Sequence, residues 1–143
     1  MTDFNEDQIR YISRKRVAHL ATCDKDGIPT VVPVCHVFKD GIIYTPIDKK
    51  PKKVSPLKLK RVKNIIRNPN VSLVMDEYHD DWDKLSYIII VGIAKLLDHG
   101  EEHSSALDHL CNKYEQYREM KLKTLGLPVI SISPVKVISW GNI

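Results

Sequence analysis

The sequence predicts one α+β domain over residues 1–143, mainly β, built on a small antiparallel barrel of six or seven strands. The first observation is length, since 143 residues suit a single domain with a real hydrophobic core. The second is a series of short Val- and Ile-rich segments that alternate with Gly, Pro, Asn and Asp turns. The third is that only a few helical segments interrupt this series, which is typical of a sheet that curls on itself.

The first part of the chain predicts a short helix followed by three strands. The turn sequences DKDG and KDG separate the strands, so we expect an antiparallel meander. Pro29 and Pro33 each remove a ladder donor from the second strand, which must lie at an edge, carry a bulge or face a ligand. The helix is predicted over 4–16, with Asp3 or Asn5 as its cap, and the strands over 17–23, 28–38 and 42–47.

A second helix is predicted from Ser55 as N-cap, with Pro56 at the first helical position, to the break at Asn68-Pro69. At about 100° per residue, its side chains divide into a buried stripe, an outward group and a border group. The stripe is Leu59, Val62, Ile65 and Ile66, the outward group is Lys60, Lys63 and Arg67, and the border group is Lys58 and Arg61. Border cations can lie against the body of the protein and point inward.

The rest of the chain predicts four more strands and a third helix. The strands are predicted over 71–78, 87–97, 129–133 and 136–140, and the helix over 101–120. Gly92, inside the longest apolar strand, indicates a bulge or a close backbone contact. The buried side of the third helix is predicted to consist of Ala106, Leu107, Leu110 and Tyr114.

The positive charge of the chain is concentrated in one segment. Residues 49–75 hold nine cations and no acid, whereas the remaining residues hold 13 cations and 18 acids, a balance of −5. Such a segment predicts a site for a polyanion or a phosphorylated ligand, and the alternative is a solvated basic surface. Nucleic acid is disfavoured because residues 47–77 contain no aromatic side chain that could stack on bases.

Other features argue against membrane insertion, disulfides and metal. No apolar run approaches the roughly 20 residues of a membrane span, and the opening MTDFNEDQIR is unlike a signal peptide. Three widely spaced cysteines indicate reduced thiols in a cytoplasmic protein. His99 and His103 have a metal-binding spacing but no evident third ligand, so we expect no metal site. We expect His19, His36 and Cys35 to be packed or hydrogen-bonded rather than catalytic.

The order of several motifs resembles a known family. RVAHLATCDKDGIPTVVPVCHVF, then IIYTPID, a basic helix ending KNIIRNPNVSLVMD, then VGIAKLL and a final ISW resemble the pyridoxamine 5′-phosphate oxidase-like split β-barrel proteins, which bind FMN or the deazaflavin coenzyme F420. The resemblance runs from Arg16 to Trp140. The stretch DEYHDDWDKL at 76–85, together with the basic helix, is similar to the F420-dependent branch.

The resemblance implies a homodimer with two cofactor sites at its interface. One strand edge would cradle the ring system, the following basic loop and helix would hold the phosphate, and surplus lysines would suit the oligoglutamate tail of F420. The implied cradle is Val31, Val32 and Pro33 with Tyr44, Thr45 and Pro46 on the neighbouring strand; the phosphate residues are Lys53, Lys58, Arg61 and Asn64; the tail residues are Lys49, Lys50 and Lys52. Trp82 would either anchor its loop or lie near the partner's cofactor.

The implied function is an oxidoreductase that transfers a hydride between F420 or FMN and a small organic substrate. The cofactor would carry the difficult chemistry, which fits the absence of a recognisable acid–base pair in the sequence. A proton could come from Tyr78, His79 or solvent. The alternatives are a non-catalytic cofactor-binding or carrier protein of the same fold and, more weakly, a nucleic-acid-binding barrel.

Overall fold

The computed structural model describes residues 2–47 and 58–143, which form seven antiparallel strands curled into a half-barrel, with four α-helices in the described part of the chain. The predicted α+β fold and strand number are confirmed. The strands are β1 Ala18–Cys23, β2 Pro29–Val34, β3 Val37–Lys39, β4 Ile42–Pro46, β5 Asn70–Glu77, β6 Ser86–Leu97 and β7 Val129–Gly141. The helices are α1 Glu6–Arg14, α2 Lys60–Arg67, α3 Glu101–Lys113 and α4 Glu115–Glu119.

The sheet is split between β2 and β3, so the predicted three-strand meander is wrong. The hydrogen-bonded order is β2-β1-β5-β6-β7-β4-β3, which puts β2 and β3 at opposite edges. The predicted strand over 28–38 is interrupted at Cys35 and His36. There the Tyr114 hydroxyl accepts a bond from the His36 N–H at 3.0 Å, and Lys113 Nζ donates to the His36 carbonyl at 3.0 Å. Because these side chains satisfy the backbone, the chain can leave one edge and cross to the other.

The long β6–β7 pair confirms the role predicted for Gly92. The register shifts between Val91 and Gly92, so that Val91 pairs with Lys136 and Gly92 with Pro134. A Cβ atom on Gly92 would lie 2.7 Å from the Ser133 carbonyl oxygen, which only a glycine avoids. Pro134 keeps its pairing with Gly92, and Val135 is the extra residue of the bulge, so the two predicted strands over 129–133 and 136–140 are one strand, β7.

Helix α2 follows the prediction at its end and departs from it on one face. It ends at Asn68 as predicted, but it begins at Lys60, and the proposed cap Ser55 and first residue Pro56 lie outside the described residues. Val62 and Ile65 are buried and Leu59 is partly buried. Ile66, predicted to be buried, is 62% exposed. Asn64 is buried in its place, because its amide finds a polar partner inside the barrel.

Two hydrophobic cores support these elements. One fills the half-barrel beneath α1 and α2, and the other lies between the β3–β4 hairpin and α3–α4. The burial predicted for Ala106, Leu107, Leu110 and Tyr114 is confirmed. The helix predicted over 101–120 is broken at Tyr114, whose backbone is extended at φ −118° and ψ 112°.

None of the helices within residues 2–47 and 58–143 has the length and apolar character that a bilayer crossing requires.

Candidate functional site

Helix α2 is fastened to the barrel by a buried polar contact. Asn64 Nδ2 donates to Thr22 Oγ1 on β1 at 2.9 Å, and both side chains are almost fully buried. The Asn64 amide, implied as a phosphate contact, is thus engaged inside the protein. Its burial fixes the rotation of α2 and so decides which cations face solvent.

The cations of α2 are distributed as its helical geometry predicts, but the border position predicted for Lys58, which precedes α2, is wrong. Arg61 is half-buried, at the border of the packed face. Lys58, Lys60, Lys63 and Arg67 are exposed, so the implied phosphate residue Lys58 projects into solvent and not against the body. Lys60 Nζ lies 3.7 Å from Asp24 on the β1–β2 turn.

A cavity of about 440 Å³ lies between α2 and the β1–β2 turn, and we call it the α2 cavity. It is lined by Asp24, Lys25, Asp26, Lys60, Lys63, Asn64, Ile66 and Arg67. Four cations against two carboxylates give this lining a net positive charge, which suits an anionic ligand. The contribution of the turn residue Lys25 was not foreseen in the sequence, since 24–27 indicates only a tight turn there.

Asp24 shapes the turn that forms one wall of the α2 cavity. One carboxylate oxygen accepts bonds from the backbone N–H of Asp26 at 2.8 Å and of Ile28 at 2.9 Å. These bonds, chiefly that from Ile28, together with the nearby Lys60 ammonium, lower the pKa of Asp24 below its usual value. Asp24 therefore stays ionised and holds the turn against α2.

The residues implied for the ring cradle are divided between two distant strands. Val31 is 62% exposed and Pro33 is exposed on the outer face of edge strand β2, whereas Val32 faces the core. Tyr44, Thr45 and Pro46 are buried on β4, and β1, β5, β6 and β7 intervene between the two strands. The prediction that the two halves of the cradle lie on neighbouring strands is therefore wrong.

Tyr44 is part of the second core. Its hydroxyl donates to Glu102 Oε2 on α3 at 2.7 Å, and its ring packs against the α3 side of the barrel. Burial and the Glu102 carboxylate raise the pKa of Tyr44 above its usual value. This side chain therefore stays protonated and ties β4 to α3.

The remaining residues implied for the cofactor are four lysines and Trp82. Lys49, Lys50, Lys52 and Lys53 lie outside the described residues, in the segment between β4 and α2. Trp82 is 71% exposed in a single 3₁₀ turn, so it does not anchor its loop by burial.

The outer face of the sheet carries an apolar surface that extends over five strands. In one register row, Pro33, His19, Val74, Ile89 and Ile138 follow one another across β2, β1, β5, β6 and β7. Large exposed apolar side chains on this face and at its bulge are Val31, Val91, Ile93, Val135, Ile138 and Trp140. These side chains share one face of the sheet, unlike apolar residues that are scattered singly over a surface. The period-two alternation of β6 is the signal that could have identified it.

A second cavity, of about 410 Å³, lies at one end of this face, and we call it the Trp140 cavity. The rings of Tyr87 and Trp140 stack there with centroids 5.7 Å apart and planes 24° apart. The lining residues are Val74, Asp76, Glu77, Tyr78, Leu85, Ser86, Tyr87, Ile89 and Trp140.

His36 and Lys113 form an unusual buried polar group at the split of the barrel. His36 is fully buried, and neither ring nitrogen makes a hydrogen bond of ordinary geometry with the described residues. Burial and the Lys113 ammonium lower the pKa of His36 to about 3, and the Lys15 carbonyl opposes this only in part. Burial and the Arg16 guanidinium lower the pKa of Lys113 to about 8. His36 is packed, as predicted, and is neutral at physiological pH.

The histidine pair considered for metal is taken up in local contacts. His103 Nε2 lies 2.9 Å from the Leu127 carbonyl, and His99 is exposed beside Asp98. In the part of the chain that the structure describes, no group of three or more His, Cys, Asp or Glu side chains could hold a metal ion.

The sequence as a whole matches one protein family. The family model for pyridoxamine 5′-phosphate oxidase matches residues 5–141, almost the entire chain. The chain belongs to the pyridoxamine 5′-phosphate oxidase family. The resemblance read from the motifs is thereby confirmed at the level of the family. Among proteins of curated function, none matches the sequence significantly.

Three solved structures with a similar fold differ in what they are known to bind. A conserved hypothetical protein from Mycobacterium tuberculosis is 20% identical, with a TM-score of 0.78, covering 97% of this chain and 86% of that one. HutZ, a heme storage protein from Vibrio cholerae, is 15% identical, with a TM-score of 0.75 and coverage of 93% and 92%. A FAD-binding protein from Mesorhizobium loti is 22% identical, with a TM-score of 0.69 and coverage of 91% and 87%. At these identities the likeness concerns the fold.

Proposed function

We propose that this protein is an oxidoreductase that binds a phosphorylated flavin or deazaflavin and transfers a hydride between it and a small organic substrate. The observation that carries the proposal is the cationic surface of α2, held in a fixed rotation by Asn64, in a chain of the pyridoxamine 5′-phosphate oxidase family. That family includes oxidoreductases. The FAD-binding neighbour has the same fold, which supports a flavin-type cofactor.

The residues present fit the phosphate of such a cofactor. Arg61 is proposed to hold it, because the residue lies half-buried at the border of α2 and a guanidinium can bond two phosphate oxygens at once. Lys58 would add a point charge from solvent. Asn64 is not proposed as a phosphate contact, because its amide already donates to Thr22.

The exposed outer face of β2 would support the ring system. Val31 and Pro33 are apolar and accessible there, and Pro33 offers no N–H that a ring would leave unpaired. When bound, the cofactor supplies the hydride-transfer chemistry. The chain's own residues bind it, orient it and exclude water from its ring, and no catalytic residue is assigned.

We favour F420 over FMN because the cations exceed what one phosphate needs. Two or three cations satisfy a phosphate, whereas residues 49–75 supply nine without an acid. Lys49, Lys50 and Lys52 are proposed to bind the oligoglutamate tail, which FMN lacks.

We also propose a homodimer whose interface is the part of the apolar outer face around Val31, Val91 and Ile93, with the Trp140 cavity left open at its rim. Val31, Val91, Ile93 and Ile138 are each between 38% and 62% exposed on that face. A second copy of the same face would remove this surface from water and bring the edge strand β2 next to a partner. Sedimentation velocity should give a dimer near twice 16.4 kDa. A monomer at all concentrations would contradict the proposed interface.

The decisive experiment is a titration of purified protein with F420 and with FMN, followed by fluorescence. Saturable binding of either supports the cofactor, and the tighter ligand identifies it. A turnover assay with the reduced cofactor and a panel of small acceptors then tests the oxidoreductase. If neither cofactor binds, the proposal fails.

A second candidate is a non-catalytic cofactor-binding or carrier protein. The neighbour HutZ, a heme storage protein, has this fold, so the fold is compatible with storage. A carrier would saturate in the titration and give no turnover with any acceptor.

The cytoplasm is the proposed compartment. Cys23, Cys35 and Cys111 are free thiols in the structure, as expected in a reducing environment.

A further inference from the structure

The Trp140 cavity combines stacked aromatic rings with apolar walls. Tyr87 faces Trp140 across the β6–β7 ladder and Asp76 across the β5–β6 ladder, so all three side chains share one row on the same face of the sheet. Val74, Leu85 and Ile89 complete the apolar wall. Trp140 is 52% exposed and Tyr78 is 68% exposed, so the aromatic rings remain open to a ligand.

The charged groups of this cavity are all negative. Its lining includes two carboxylates, Asp76 and Glu77, and no lysine, arginine or histidine. Glu77 is already compensated, since Lys15 Nζ lies 3.2 Å and Arg14 Nη1 lies 3.5 Å from its Oε2 atom. These bonds, chiefly from Lys15, lower the pKa of Glu77 below its usual value.

Asp76 differs from Glu77 in this respect. It is exposed beside Tyr87 and forms no ion pair with any residue in 2–47 or 58–143. One uncompensated carboxylate therefore lies at the edge of a cavity whose walls are aromatic and aliphatic. The faces of Tyr and Trp rings attract cations through their negative quadrupole, and a nearby carboxylate adds to that attraction.

We propose that the Trp140 cavity binds an organic cation with an aromatic or branched apolar body, such as an arylalkylamine or a quaternary ammonium compound. The apolar body would lie against Val74, Leu85 and Ile89, and the cationic group would lie between the ring faces and Asp76. A volume of about 410 Å³ is within the range of small-molecule sites. An anion of the same shape is disfavoured by the uncompensated carboxylate of Asp76.

This site does not depend on the proposed cofactor. It is linked to the proposed ring surface, because Val74 lies two strands from Pro33 in the same register row, about 10 Å away at the usual strand spacing. A ligand in the cavity is therefore close enough to be a substrate if the cofactor ring occupies β2. Binding of the cation itself is tested without cofactor, so it can succeed or fail separately from the proposed function.

The test uses the fluorescence of Trp140 in full-length protein. The chain has two tryptophans, so Trp82→Phe leaves Trp140 as the single reporter. The probes are benzyltrimethylammonium, benzyl alcohol and benzoate, which share a ring and differ in charge. We expect the cation to bind about tenfold more tightly than the alcohol, the effect of one partly desolvated cation–π contact with a carboxylate nearby. Benzoate should not bind measurably.

Matched variants assign the effect to its residues. Asp76→Asn should reduce the affinity for the cation about threefold, since the ring faces remain, and leave the affinity for the alcohol unchanged. Asp80→Asn, an exposed acid outside the lining, is the control and should bind as the parent does. Trp140→Leu, followed by calorimetry, should weaken binding of both probes, and that of the cation more than that of the alcohol, because leucine offers no ring face to a cation.

Three results would overturn the proposal. These are equal affinity for the three probes, an unchanged affinity for the cation in Asp76→Asn, and no binding of any probe at millimolar concentration. Matching thermal melts of the parent and the variants show that the fold is intact, since Asp76 is exposed at the end of a strand.

Discussion

The α2 cavity and the Trp140 cavity have similar volumes, about 440 and 410 Å³, and opposite charge. The first is lined by four cations and two carboxylates, and the second by two carboxylates among aromatic and aliphatic side chains. An anionic cofactor and a cationic ligand would thus be attracted to different surfaces and would not compete. The difference lies in the side chains that line each cavity, which are mainly basic in the first and aromatic, aliphatic and acidic in the second.

The two cavities also differ in how far apart their residues are in the chain. The cations of the α2 cavity come from one helix and one hairpin turn, so their charge is visible as a run in the sequence. The Trp140 cavity joins residues 74–89 to position 140, and no local pattern links them. Only pairing of β5, β6 and β7 brings them together.

The largest effect is expected from buried His36, which lies outside both cavities. It concerns the pH dependence of the free energy of unfolding and not the binding of a ligand. The pKa of His36 is about 3 when folded, below the ordinary value of 6.5. The unfolded chain therefore takes up a proton below pH 6.5 while the folded protein does not. Stability from this group is full above pH 6.5 and is lost as the pH falls towards 3, by about 1.4 kcal/mol per pH unit.

Urea unfolding between pH 6.5 and 4 measures this slope. In His36→Gln, the slope of the unfolding free energy against pH should correspond to about one proton fewer taken up on unfolding, because no titrating group replaces the imidazole. The control Asn112→Gln alters an exposed side chain that carries no titratable group and should retain the parent slope. A slope in His36→Gln equal to that of the parent would contradict the buried, neutral state of His36.

The next effect concerns Arg61, which lies on α2 at the border of its packed face and is not part of the lining of the α2 cavity. Arg61→Ala should weaken cofactor binding by about 1.5–3 kcal/mol, the range for a hydrogen bond to a charged group, with folding nearly unchanged. Fluorescence titration with F420 and FMN measures it. Arg10→Ala, on the exposed face of α1, is the matched control and should bind normally. Unchanged affinity of Arg61→Ala for both cofactors would remove Arg61 from the site.

A third prediction compares two residues that line the α2 cavity, buried Asn64 and exposed Lys63, in their effect on stability. Asn64→Ala leaves the Thr22 hydroxyl without its buried partner and should lower the free energy of unfolding by about 1–3 kcal/mol. Lys63→Ala, one residue earlier and exposed, should change it by less than about 0.5 kcal/mol. Urea denaturation compares the two. Equal stability of the two variants would mean that the Asn64–Thr22 contact does not hold the helix.

The smallest effect concerns the choice of cofactor. Replacing Lys49, Lys50 and Lys52 by glutamine should narrow the affinity gap between F420 and FMN, and leave FMN nearly unaffected. In the parent protein, F420 affinity should fall more steeply with salt, because exposed charge pairs are screened over a Debye length of about 10 Å at 0.1 M. Titrations at several salt concentrations measure both slopes. Equal slopes and affinities would make these lysines a solvated surface and FMN the better choice.

The sequence alone determined the elements whose signals are local. The Asn5 cap of α1, the end of α2 at Asn68, the bulge at Gly92 and the buried side of α3 were all predicted, because each depends on neighbouring residues. The family was also readable, since its motifs are spread in order along the chain. The border position of Arg61 followed from helical geometry alone.

The tertiary structure decided what depends on contacts distant in sequence. Whether residues 28–38 form one strand or two was settled by Tyr114 and Lys113, which bond the backbone of His36 from nearly 80 residues away. The union of 129–133 with 136–140 depended on a bulge at Val135 of β7, opposite Val91 and Gly92 of the partner strand. Asn64 became a structural residue because Thr22 lies beneath it, and the Trp140 cavity exists because three strands pair in one register. A local sequence pattern specifies which conformation a segment favours, but the partner that satisfies its polar groups or covers its apolar face is specified only by the folded chain.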